Sequence, residues 1–320
     1  MDLRSIFINQ YGRLRSGFRL IVFVALFLLI TIVLSAFIGL AYALLHDRLP
    51  PIPHAEFFQN VIYRVPLLLA ALGAGYFCTR LLEGLPWRAL GLTLHDNWFQ
   101  HLFVGSAIGI ASLVLAAGIA GVGGGLKFTL NSADSHGHVV RSVLASGFLF
   151  IFAALAEEAM FRGYALQTLT RAHWIWLAVL LTSVPFGIVH LSNPNVVRGL
   201  TFVNTTLAGI WLAVAYLRTR SLWFPLGVHW AWNWALGSLF GLPVSGLRIV
   251  GAPLLQAQDT GPDWLTGGSY GLEGGIAATI TLLVSTYVIS RTGYVEARPE
   301  MLKLTSEEKK AGIAEPMNTA

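Results

Sequence analysis

Three polar fragments stand inside long apolar runs of this chain: Glu157-Glu158 with Arg162, Phe186 with His190, and His229 with Asn233. An ionisable or amide group at bilayer depth costs several kcal/mol unless it is paired or put to use. Together these side chains are the parts of a water-activating centre. A carboxylate can take a proton from water and return it to a leaving amine, while imidazole and amide groups can polarise the water or stabilise an oxyanion.

Spacing divides the roles. With residues 156–163 read as helix continuing the apolar run before them, Glu158 and Arg162 stand four apart on one face, acid first, the favourable order for an ion pair. Glu157 points elsewhere and is expected to face a cavity. Taken alone, the pair suits an ordinary helix-end salt bridge equally well. His190 alone is more often a satisfied or interfacial residue than a ligand, and Pro185 just before it is expected to kink its helix. His229 and Asn233 share one helical face. Trp230, Trp232 and Trp234 around them are alternatively an aromatic belt, although His229 lies well inside its apolar run. Counting from the turn near Arg171 puts Glu157 and His190 at depths that differ by about five residues, roughly 8 Å, which tilt and a proline kink can absorb.

The elements that must position these groups are membrane helices. The chain has 320 residues, of which 55% are hydrophobic and only 12% charged, with a mean hydropathy of +0.65; a soluble domain carries about 25% charge. We read an all-α, polytopic integral membrane protein with about eight transmembrane helices, near 18–45, 60–82, 102–122, 140–160, 173–192, 197–217, 221–241 and 271–290. The first follows Arg13, Arg15 and Arg19 and ends on Ala41-Tyr42-Ala43. Its apolar run is too long for a signal peptide, whose apolar core is about 7–15 residues, so it is read as retained. Cys78 is the single cysteine, so neither an intramolecular disulfide nor a thiolate cluster is possible.

In an eight-span arrangement Arg4, Arg13, Arg15, Arg19, Arg80, Arg88, Arg171, Arg218, Arg220, Arg291, Arg298, Lys303, Lys309 and Lys310 fall on one side. Arg48, Arg64, Lys127, Arg141, Arg198 and Arg248 fall on the other. The positive-inside rule then puts both termini in the cytoplasm of a multi-pass cell-membrane protein. Nucleic acid is not an expected partner, because the net charge of +5 is dispersed as short flanks and forms no continuous stripe.

Along the chain, residues 1–139 read as a transmembrane scaffold of about three spans, with Arg64, Tyr76 and Cys78 but no acid-base cluster. Residues 140–241 hold the catalytic core, 242–295 an outer loop and the last span, and 296–320 a disordered polar tail that ends with Glu307, Glu308, Lys309 and Lys310. The glycine-rich stretch 118–138 lacks the lysine and context of a phosphate loop and reads as a flexible outer loop. His136 and His138 in it are left out of the site. Gly105 and Gly109 form a small-residue pair for helix packing, within the chain or between copies. No internal repeat halves the molecule, which weighs against many transporter architectures.

The ordered set EExxxR, FxxxH and HxxxN on successive apolar segments resembles the CPBP family, the CAAX-type prenyl endopeptidases and bacteriocin-processing proteins also called Abi. Here it stands as Glu157-Glu158-Ala159-Met160-Phe161-Arg162, Phe186-Gly187-Ile188-Val189-His190 and His229-Trp230-Ala231-Trp232-Asn233. The resemblance covers roughly residues 140–240. It implies an intramembrane endopeptidase in which Glu157 and His190 activate water, His229 and Asn233 stabilise the oxyanion, and Glu158 and Arg162 organise the site. Family members are often called metalloproteases, and Glu158, His190 and His229 are chemically suited to Zn²⁺. A metal-free mechanism is equally compatible with the same residues. The implied partners are the lipid bilayer and a peptide or protein substrate, with prenylated substrates one option among others. Two readings compete with proteolysis: a transporter or proton-coupled channel using Glu157, His190 and His229 as a relay, and a catalytically silent scaffold.

Overall fold

A computed structural model describes residues 4–45, 55–197 and 199–306. Arg48 and Arg198, and the charged run Glu307, Glu308, Lys309 and Lys310, lie outside the described residues. The main helices are α1 (Ser16–Leu45), α2 (Ala55–Phe77), α3 (Trp98–Val122), α4 (His136–Glu158), α5 (Leu166–Arg171), α6 (Ile175–His190), α7 (Leu200–Thr219), α8 (Trp223–Trp234), α9 (Ile276–Arg291) and α10 (Pro299–Ser306). A π turn, Ala159–Ala165, joins α4 to α5 as one 36-residue rod. Two further π turns extend α2 (Cys78–Leu82) and α8 (Ala235–Leu239).

Five of these helical stretches are long and apolar enough to cross a membrane: Ser16–Leu45, Arg64–Leu82, Trp98–Val122, His136–Arg171 and Leu200–Thr219. The other three expected spans fall on the shorter helices α6, α8 and α9. An all-α polytopic membrane protein is thus the observed class, with one small sheet added. β1 (Leu126–Leu130) pairs antiparallel with β2 (Leu255–Asp259), with Phe128 opposite Ala257. The glycine-rich stretch 118–138, expected to be a flexible outer loop, is therefore tied by a backbone ladder to the segment that follows α8. The sequence hides this because the two strands lie far apart along the chain and each is short.

Burial follows from how each apolar stretch is used. α1 turns only one stripe inward, Ser16, Arg19, Phe23 and Phe27 at spacings of three and four, and leaves the rest of its apolar surface outward, as a lipid-facing helix does. Phe23 meets Tyr164 with ring centroids 5.2 Å apart. The main core joins α3, α4, α7, α8 and α9 around Leu113, Phe150, Trp211, Phe224, Trp232 and Leu282. Ser285 accepts from Trp211 Nε1 at 2.9 Å and from Ser112 Oγ at 2.8 Å, so α9 is pinned to both α7 and α3.

α3 and α8 touch backbone to backbone. A Cβ added at Gly105 would lie 2.4 Å from the carbonyl oxygen of Phe224, one at Gly109 2.4 Å from that of Val228, and one at Gly227 2.3 Å from that of Leu102. The small-residue pair thus packs within the chain, and it is what seats α8, the helix of His229 and Asn233, against α3.

Two expectations about charge change. Arg19 and Arg171, read as cytoplasmic flanks, are buried and share Glu83: Arg19 Nη1 reaches Glu83 Oε1 at 2.9 Å and Arg171 Nη2 donates to Glu83 Oε2. Thr168 Oγ1 adds a bond of 2.6 Å to the same carboxylate. Paired charges of this kind fix how α1, the end of α2 and α5 meet, since an unpaired one would be costly there. The tail is also ordered further than its composition suggests, because residues 299–306 form α10 with Met301 and Thr305 buried. Its two inward residues are four apart, a single-turn stripe too short to stand out from the polar residues around it.

Candidate active site

The site is assembled from α4, α6 and α8. Tryptophan donors set the first contact: Trp230 Nε1 donates to the Gly147 carbonyl at 2.9 Å and Trp234 Nε1 to the Val143 carbonyl at 3.0 Å. Ser146 and Ser238 add an inter-hydroxyl bond of 2.7 Å. These two half-buried indoles clamp α4 to α8. α4 then delivers its two glutamates opposite His229, and the π turn begins at the next residue, a break in helical register of the kind that often marks functional sites.

The two glutamates part as their spacing predicts. Glu158 is fully buried, and its Oε1 accepts from Arg162 Nη1 at 3.1 Å and from His229 Nδ1 at 2.8 Å. Arg162 Nη2 donates to the Gly209 carbonyl of α7 at 2.9 Å, and its guanidinium lies 4.7 Å from the centroid of the Phe186 ring. That contact gives the phenylalanine of FxxxH a job. Its face holds the arginine that holds Glu158, while its ring lies 4.5 Å from His190 and 6.1 Å from His229 between centroids.

Glu157 faces the other way, into a cavity of about 480 Å³ that His190, His229 and Asn233 also line. Its Oε2 is 3.6 Å from His229 Nε2, so His229 bridges the two adjacent carboxylates with its two ring nitrogens. Because Glu158 is an acceptor, the His229 Nδ1 carries the proton and Nε2 is the working atom. His190 follows the same logic with a different partner. Its Nδ1 donates to the Phe186 carbonyl at 2.7 Å, one helical turn back, which leaves Nε2 with its lone pair. Pro185 lies within α6, which runs unbroken to His190.

All seven residues singled out in the motifs are thus brought together, five on the cavity wall (Glu157, Phe186, His190, His229 and Asn233) and two, Glu158 and Arg162, behind it. Two more line the cavity that the sequence does not single out. Arg64 of α2, read as scaffold, places Nη1 3.5 Å from Glu157 Oε1. Glu273, from the turn before α9, accepts from Trp232 Nε1 at 3.0 Å, from the Ser245 backbone N–H at 2.6 Å and from Ser245 Oγ at 3.0 Å. The signal for Arg64 was present, a lone guanidinium in an apolar segment. Glu273 falls at the edge of the expected span 271–290; the structure starts α9 only at Ile276 and leaves Glu273 in the turn before it. Beside it the buried phenol of Tyr270 is pushed up by burial and by the Glu273 charge, so it stays protonated.

The Zn²⁺ set of Glu158, His190 and His229 does not fit this arrangement. Glu158 Oε1 accepts from Arg162, a competing cation, and from the Nδ1 proton of His229, so Glu158 orients the imidazole from behind, while the ring nitrogen left for a metal, Nε2, faces Glu157; Glu158 Oε2 is buried without a hydrogen-bond partner. Among the described residues no group of three or more His, Cys, Asp or Glu side chains is placed to hold a metal ion.

What remains is a carboxylate and two imidazole Nε2 atoms around a partly apolar cavity, with an amide on the same wall. That set can position water, remove its proton and stabilise a developing negative charge. No curated protein matches the chain. Residues 139–235, which carry all three motifs, match the family model described as type II CAAX prenyl endopeptidase Rce1-like, the family group that the motifs themselves resemble.

Proposed function

We propose that this protein is an intramembrane endopeptidase that hydrolyses a peptide bond in a membrane-associated substrate, with Glu157 as the base. The Rce1-like match supports an endopeptidase of the membrane at family level. The observation that carries the finer reading is His229 bridging Glu158 at 2.8 Å and Glu157 at 3.6 Å on the wall of a cavity shared with His190 and Asn233.

In this mechanism Glu157 and His190 Nε2 hold a water. Glu157 takes its proton as the oxygen attacks the scissile carbonyl, and the proton then passes to the leaving amine. The tetrahedral oxyanion accepts from the Asn233 amide and from His229 Nε2–H, with both ring nitrogens protonated in that step and Nδ1–H held by the buried Glu158 carboxylate. Arg162 holds Glu158 in place. The apolar part of the cavity wall, with Phe186, Trp211 and Leu282 among its residues, suits apolar substrate side chains, and prenylated peptides belong in the first set tested. We read both termini as cytoplasmic, a reading that the distribution of basic residues supports.

The test is cleavage of a quenched fluorescent peptide library, prenylated members included, by purified wild type and Glu157→Gln in detergent. Turnover by wild type that the variant lacks supports the reading. Proton or solute flux in liposomes that depends on Glu157, with no cleavage of any member, would move the assignment to transport.

A further inference from the structure

We infer that Arg64 is a positioning residue of the proposed hydrolysis, orienting the Glu157 carboxylate and balancing its charge; this rests on Glu157 being the base. Arg64 lies near the start of the expected span 60–82, on a helix packed against α1 and α4, and its side chain is half-buried and turned to the cavity. Its Nη1 lies 3.5 Å from Glu157 Oε1, the oxygen opposite the one that faces His229, and it lines the same cavity.

The charges around Glu157 show why a second cation is needed. On its own rod, Arg162 is committed to Glu158 at 3.1 Å. From α8, His229 faces it at 3.6 Å, and from α6, His190 shares the cavity. Glu273 lines the same cavity and adds negative charge. Without Arg64, the counter-charge nearest to Glu157 would be a protonated His229. The two would then hold each other as an ion pair, with the proton shared between the intended base and the intended oxyanion donor. With Arg64 3.5 Å from Oε1, Glu157 has a counter-charge other than the imidazole, and its Oε2, 3.6 Å from His229 Nε2 and without a hydrogen bond, is left for water. The arginine touches no reacting atom in this scheme and acts through Glu157.

The experiment uses the full chain in detergent with whichever library peptide wild type cleaves, comparing Arg64→Gln, Arg64→Lys and Glu157→Gln. The expected result is a kcat for Arg64→Gln about tenfold or more below wild type with KM within about twofold. The acid limb of its kcat profile should move to higher pH, because the carboxylate has lost a neighbouring cation. Arg64→Lys should restore most of the rate. A rise in KM at unchanged kcat would assign Arg64 to substrate binding and overturn the inference, as would a wild-type rate and pH profile in Arg64→Gln. Should Arg64→Gln not fold, Arg64→Ala with added guanidinium ion decides: restored kcat supports the role, and no restoration in a folded variant opposes it. Turnover retained by Glu157→Gln would sink the proposed base itself, whereas a dead Glu157→Gln beside a normal Arg64→Gln sinks only this inference.

Discussion

Removing the buried Glu158–Arg162 pair should separate stability from catalysis. Both side chains are fully buried, 3.1 Å apart, and each has one further anchor, His229 at 2.8 Å for the glutamate and the Gly209 carbonyl at 2.9 Å for the arginine. Glu158→Leu leaves the guanidinium with one carbonyl and the Phe186 face, an uncompensated buried charge, at a cost of about 3–5 kcal/mol. The double variant Glu158→Leu/Arg162→Met takes both charges away and keeps an unbranched side chain over Phe186. Because replacing a buried pair by apolar groups is often neutral or better, it should recover most of the lost stability, to within about 1–2 kcal/mol of wild type. Activity should not return, since His229 has lost the carboxylate that fixes its tautomer. Thermal unfolding in detergent, followed by tryptophan fluorescence, and peptide turnover would be read on the same preparations. A double variant less stable than Glu158→Leu, or one that cleaves peptide at the wild-type rate, would refute the reasoning.

Gly109→Val should displace α8, since even a Cβ there would meet the Val228 carbonyl oxygen at 2.4 Å; a loss of about 1–3 kcal/mol and a larger fall in kcat are expected in unfolding and turnover assays. Glu273→Gln weakens charge-assisted bonds to Trp232 and Ser245, so faster proteolysis within residues 242–275 and a stability loss of about 1–3 kcal/mol should follow. Burial holds His95, which bonds Ser221 at 3.1 Å, below its ordinary imidazole value. A group whose charged form is disfavoured in the fold stabilises the neutral protein and loses that contribution as pH falls through about 6.5 and below. Unfolding temperature should therefore drop between pH 7.5 and pH 5, and less steeply in His95→Gln.

Much of the site was legible because its chemistry is local. Glu158 and Arg162 pair at a spacing of four, and the turn between Glu157 and Glu158 puts one carboxylate behind the wall and one on it, as helical geometry requires. The apolar runs gave the helices for the same reason, since in lipid a spanning backbone must bond within itself. What stayed hidden depends on partners far along the chain. Arg64 and Glu157 are 93 residues apart, and Glu83 meets Arg19 and Arg171 across 64 and 88 residues. Composition treats such residues as flanks or scaffold. The indoles of Trp230 and Trp234 read equally well as interfacial anchors until their acceptors on α4 are seen. β1 and β2 are five residues each and carry no pattern that distinguishes them from loop.

The most direct measurement of the central claim is mass spectrometry of the products formed from a cleaved library peptide in ¹⁸O-labelled water, with wild type beside Glu157→Gln. Water activated by Glu157 predicts one label in the new carboxyl terminus of the wild-type product and no product from a folded variant. The same labelled product at the same rate from Glu157→Gln would contradict the account.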